Sequence, residues 1–137
     1  MRVAVVFFSG SKRRKLLEHC QALARGITAQ GHTADIVDGD RDVNTRLTIY
    51  QYVVVGTEVV GTFRGKIPEK VSAWLAGAGT ASGKRSFAFV LKSWIGAPRA
   101  LARLMQTMER EGLFLKNSRI LTSAVEAEEI GKRLHIA

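Results

Sequence analysis

The residues best suited to chemistry lie in three short stretches, each following an apolar run. The first is Ser9-Gly10-Ser11-Lys12-Arg13-Arg14-Lys15. Hydroxyls, a glycine and the free N–H groups that open a helix are what an anion-binding turn requires. Its cations stand at the positive end of a helix dipole, where each is unfavourable by about 0.3–1 kcal/mol unless an anion sits among them. A bound phosphate would supply that anion; a solvated, salt-screened basic turn is the other reading. The second stretch runs from Gly56 to Pro68, where Gly56, Gly61 and Gly65 allow backbone to approach a flat ligand closely. Phe63 can stack on a ring there or pack back on the domain. The third is Lys92-Ser93-Trp94-Ile95-Gly96-Ala97-Pro98-Arg99. Trp94 offers a stacking face and an indole N–H, or else caps the core.

Other groupings are weaker. His19, His32 and His135 are scattered, with no carboxylate or cysteine at ligand spacing. Asp35, Asp38, Asp40 and Asp42 read as a solvated acidic turn rather than a metal site. Cys20, the one cysteine, falls on the apolar face of a helix and reads as a packed thiol. No Ser-His-Asp arrangement can be traced, and no catalytic residue is assigned.

The elements that must position these turns show in the periodicity. Val3 to Phe8 is a continuous β-rich run, as expected for a central parallel strand. Leu16, Leu17, Cys20, Leu23, Ala24 and Ile27 share one helix face, and Gly31 ends that helix. Thr33–Val37 predicts a second strand, Tyr52–Val55 a third, Phe87–Leu91 a fourth, and Ser118–Leu121 a fifth. The segment from Asp38 to Thr48 holds at most one short helix. Pro68 suits a first helical turn, with Val71, Trp74 and Leu75 facing inward. Pro98 opens a helix carrying Leu101, Leu104, Met105 and Met108, and Ser123-Ala124-Val125-Glu126 starts the last one with a capping-box pattern. Strands alternating with helices predict right-handed crossovers and a parallel sheet. Ligands of such sheets bind beyond the carboxyl ends of the strands, which is where the three stretches fall.

At 137 residues the chain suits a single domain, 1–137, with a sizeable core. Hydrophobic residues make up 46% and charged residues 24%, ordinary for a soluble globular protein. No apolar run approaches the ~20 residues of a membrane helix, and the opening run is too short for a signal peptide. A cytoplasmic protein with no membrane partner is expected. The net charge of +9 favours acidic partners. Lys12, Arg13, Arg14, Lys15, Arg64, Lys66, Lys92 and Arg99 fall near one edge, against Glu58 and Glu69. Nucleic acid would need that edge alone, since no recognition motif or aromatic platform accompanies it.

The stretch from Tyr52 to Gly61, followed by Gly65-Lys66-Ile67-Pro68 and the apolar helix face to Leu75, resembles the flavodoxin family. Ser9-Gly10-Ser11 loosely matches the family's phosphate turn, and Gly83 to Gly112 its fourth unit, so the likeness spans nearly the whole chain. It implies an α/β, doubly wound five-stranded parallel sheet of order 2-1-3-4-5 in three α/β/α layers. It also implies FMN, with electron transfer or the reduction of a small substrate as the activity and an acidic redox protein as partner. Ser9, Gly10, Ser11, Lys12 and Arg13 would hold the phosphate. Thr57, Glu58, Val59, Val60, Gly61 and Phe63 would lie along one side of the ring, with Ser93, Trp94 and Ile95 on the other. Glu58 stands where the family prefers proline, Val60 where an aromatic flanks the ring, and the family's electron carriers are typically acidic. These departures define the alternative: a binding module of the same fold that has lost flavin and takes a phospho-ligand or an acidic protein on its basic edge. A response-regulator receiver of the same topology would need acidic residues after strands one and three, where Ser9 and Gly56-Thr57 stand.

Overall fold

A strand apolar on both faces must be covered on both faces. A computed structural model of the chain, which describes residues 1–60, 65–79 and 82–137, sets the first apolar run (β1, Arg2–Phe8) inside such a sheet. The other strands are β2 (Thr33–Asp38), β3 (Tyr52–Thr57), β4 (Arg85–Leu91) and β5 (Phe114–Leu121). All neighbouring pairs run parallel, in the order β2-β1-β3-β4-β5. Helices α1 (Arg13–Ala29), α2 (Lys70–Gly77), α3 (Ala97–Arg110) and α4 (Ala124–Arg133) complete three layers. The doubly wound α/β class expected from the sequence is what the chain adopts.

Side chains alternate along each strand and so divide the interior in two. Ala4, Val6, Phe8, Val53, Val55, Ala88 and Val90 pack under α2 and α3, against Trp74, Leu75, Leu104 and Met108. Val3, Val5, Phe7, Val54, Phe87 and Phe89 face α1 and α4, meeting Leu16, Leu23, Ile27 and Ala127. Phe7, Phe8, Phe87 and Phe89 are all fully buried, each stabilising the fold by roughly 1.5–3 kcal/mol relative to exposure. Cys20 is a packed thiol, as expected, and burial pushes its pKa far up.

Three local expectations differ. β5 begins at Phe114 rather than Ser118, because an edge strand with one partner is only partly covered and needs no continuous apolar run. Helix α2 begins at Lys70, two residues past Pro68, whose carbonyl accepts from Val71 N–H at 3.3 Å. Asp38 to Thr48 contains turns and no helix, within the expectation of at most one short helix. At the start of α4, Ser123 Oγ accepts from Glu126 N–H at 3.1 Å, but the Glu126 carboxylate goes to the Thr122 hydroxyl, so only half the capping box forms. Among the described residues, no helix is long and apolar enough to cross a membrane.

Candidate functional site

Phe8, Thr57 and Val90 stand in one register row across β1, β3 and β4. The turns leaving these strands therefore start side by side, and they touch. A Cβ built on Gly10 would lie 2.7 Å from Glu58 Oε1 and 3.2 Å from Val60 Cγ1. One built on Gly96 would lie 2.8 Å from the Gly65 backbone and 3.6 Å from Val59 Cγ1. Glycine is needed at both positions for close approach, and Gly96 also has a φ of +90°. The three chemical stretches converge at the carboxyl edge of the sheet.

Helix α1 has no acidic residue in its first turn, and its N-cap, Lys12, supplies no side-chain hydrogen bond. The missing cap comes from the turn that leaves β3. The Glu58 carboxylate accepts the Lys12 N–H with both oxygens, at 3.1 and 2.9 Å, and the Ser11 hydroxyl at 3.5 Å. Glu58 is 2% exposed, so its charge lies inside the turn rather than at the mouth. An anion at this helix N-terminus is what the dipole and the neighbouring cations favour, and here the chain provides it.

A second carboxylate takes the other donors. Asp40 accepts the Ser9 N–H at 3.0 Å and the Ser9 hydroxyl at 2.6 Å. It also pairs with Lys70, whose ammonium donates to the Ser9 carbonyl at 2.9 Å, and with Arg13 at 3.6 Å. Burial pushes the Asp40 carboxyl up, but the hydrogen bonds from Lys70 and Ser9 outweigh it and hold the pKa below the ordinary value. Arg13 pairs with Asp38 as well, and the hydrogen bond to Asp38 raises the guanidinium pKa. The acidic turn after β2 is thus not a solvated one. Parallel pairing of β2 with β1 carries it beside the first turn, where it neutralises Arg13 and Lys70.

The remaining predicted residues divide by exposure. Thr57 is fully buried, its hydroxyl donating to the Phe8 carbonyl at 2.8 Å, so it ties β3 to β1. Val59 and Val60 are half-buried beside Glu58, and Val60 N–H donates to the Lys66 carbonyl at 2.8 Å. Gly61, Phe63 and Arg64 lie outside the described residues. Ser93 is half-buried, with its hydroxyl donating to the Ile95 carbonyl at 3.3 Å. Trp94 is 96% exposed, so it does not cap the core; Ile95 beside it is 40% exposed. Lys12, Arg14, Lys15, Lys66, Lys92 and Arg99 are exposed and make no ion pair among the described residues. No group of His, Cys, Asp and Glu suited to a metal ion occurs among the described residues.

Sequence reasoning missed Asp40 and Lys70 as members of this turn. The available signal was electrostatic: a helix start crowded with cations and lacking a local acid requires a carboxylate from elsewhere.

No family model matches the chain, and no curated protein matches it in sequence. Solved structures match it in architecture. Oxidised flavodoxin 1 from Bacillus cereus aligns with a TM-score of 0.74 at 14% identity, over 96% of this chain and 95% of that one. A flavodoxin from the domain Archaea gives 0.70 at 20% identity, over 99% and 94%. The Flv1 flavodiiron core from Synechocystis gives 0.74 at 18% identity, over 96% of this chain and 34% of that one. The chain has the flavodoxin-like fold. At these identities the likeness concerns the fold alone.

Proposed function

We propose that this chain is a flavodoxin-fold docking module that works without a resident flavin and meets an acidic protein through its basic edge. The observation that carries this reading is the Glu58 carboxylate seated on the Lys12 N–H and the Ser11 hydroxyl. An FMN phosphate does not fit the turn as it stands. Its expected donors, Ser9, Ser11 and Lys12, are engaged by Glu58 and Asp40, and a further anion between two carboxylates would be repelled. The docking face that remains has the make-up of a protein interface. Trp94 and Ile95 form an exposed apolar centre, and Lys92, Arg99 and Lys66 supply a cationic surround.

The test is a pair of titrations on the purified protein. FMN fluorescence should remain unquenched on adding protein. Poly-L-glutamate should shift Trp94 emission to the blue, and added salt should reverse that shift as screening shortens the reach of the charges. Stoichiometric, saturable quenching of FMN by the wild-type protein would reject the reading.

A flavin-bearing electron carrier or small reductase is the second reading, supported by the convergence of the three turns and by the free Trp94 beside them. It requires Glu58 to leave the turn before Ser9, Gly10, Ser11, Lys12 and Arg13 can hold a phosphate. A purified protein with a flavin absorbance band would favour it.

A further inference from the structure

Beside the free edge of the sheet a groove of about 330 Å³ runs between β5 and α4. It reaches in to Tyr52 at the amino end of β3, the opposite end from Thr57. We propose that this groove binds a small aromatic carboxylate, independently of the basic edge and its partner. The floor is apolar, formed by the Tyr52 ring, Ile130 and Leu134. The walls carry Lys116, Arg119 and Arg133, and neither arginine makes an ion pair among the described residues.

A break in the strand assembles these walls. β5 slips register against β4 between Ser86 and Phe87, so that Leu115 pairs with Ser86, Asn117 pairs with Phe87, and Lys116 has no partner. Strict alternation would turn Lys116 and Asn117 to opposite faces, yet both line the groove; a bulge re-aims a side chain in this way. Tyr52 adds a polar contact at the inner end of the groove. The residue is 1% exposed, yet its hydroxyl is not among the enclosed polar atoms that lack a partner, so the oxygen is open to the groove it lines. Such a hydroxyl can donate to a ligand oxygen in place of water. Burial raises the Tyr52 phenol to about 12, against the opposing pull of Arg85, which keeps it a hydrogen-bond donor at ordinary pH.

Size and charge narrow the ligand class. The volume lies at the lower end of the range for small-molecule pockets and suits one ring with one acidic group. Glu126 and Glu129 also line the groove, the first held by the Thr122 hydroxyl and the second by Lys132 at 3.2 Å. Their charges disfavour a polyanion while leaving the arginines free for a single carboxylate, which a guanidinium binds in a two-pronged fork.

The experiment titrates ¹⁵N-labelled protein with 4-hydroxybenzoate and follows the amide resonances. Inorganic phosphate and uncharged 4-hydroxybenzyl alcohol serve as the comparison probes. Saturable shifts around Asn117 and Ile130, with markedly weaker responses to both comparison probes, are expected. The Arg119→Gln, Arg133→Gln double variant should weaken binding by about tenfold, the scale of one lost charge-assisted hydrogen bond. Tyr52→Phe keeps the buried ring and the fold, and should weaken binding several-fold. The proposal is overturned by an absence of saturable shifts, by an equal response to the alcohol, or by unchanged affinity in the double variant.

Discussion

Glu58 and Lys12 are 46 residues apart, yet the Glu58 carboxylate holds the Lys12 N–H with both oxygens, at 2.9 and 3.1 Å. It is the N-terminal cap of a helix that has none of its own, delivered from the loop after β3. In the proposed reading the same contact closes the turn to outside anions, so capping and closure should be lost together.

Glu58→Ala should therefore destabilise the protein in chloride buffer by about 0.5–2 kcal/mol, the cost of losing a helix N-terminal cap. Phosphate or sulfate should restore much of that loss in the variant and leave the wild type nearly unchanged, since ligand binding to the native state adds stability. Thermal melts in matched chloride and phosphate buffers read both effects. A variant that ignores phosphate would show that the turn is not a latent anion site.

Asp40 sets an acid-sensitive component of stability. Its folded pKa lies below the ordinary carboxylate value, so its contribution is complete above that value, near pH 4. The contribution is lost as pH falls through the lower folded value. Asp40→Asn should be less stable than wild type at neutral pH, and the gap between them should narrow as the solution is acidified below about pH 4. Urea melts at a series of pH values measure the gap, and a gap that widens on acidification contradicts the assignment.

Trp94 and Trp74 are the two tryptophans, one 96% and the other 7% exposed. Iodide should quench the Trp94 emission and spare Trp74, whose indole N–H donates to the Asp42 carbonyl at 3.2 Å. Trp94→Ala should leave stability within about 0.5 kcal/mol of wild type, as surface changes usually do. The same variant should weaken binding to an acidic protein by about 2 kcal/mol or more if Trp94 is the anchor. Calorimetry with poly-L-glutamate checks the second half, and unchanged affinity would remove Trp94 from the interface.

Gly96→Ala places a methyl group against the Gly65 backbone at a φ of +90°. A cost of about 1–3 kcal/mol is expected from the strained backbone alone, read as a lower urea midpoint. Chemical shifts should change in both loops, around Lys66 as well as Trp94, because the two are in contact.

Much of the architecture was legible because the signals are local. A short uninterrupted apolar run rich in valine and phenylalanine, such as Val3–Phe8, reads as a covered strand, and the spacing of Leu104 and Met108 marks a buried helix face. The edge strand was read short because Lys116 and Asn117 are exposed and break any apolar pattern. The convergence of the three turns followed from topology once the strand order was expected.

The residue types alone determined that the carboxyl edge of the sheet would be cationic and that α1 would begin without a local acid. Which anion answers that demand was decided only by the folded chain. Asp40 is 31 residues from Ser9, Lys70 is 61 residues from it, and Glu58 reaches Lys12 from the loop after β3. Electrostatic attraction acts through space, so a charge balance that looks unfinished along the chain can be completed by groups that only strand pairing brings together.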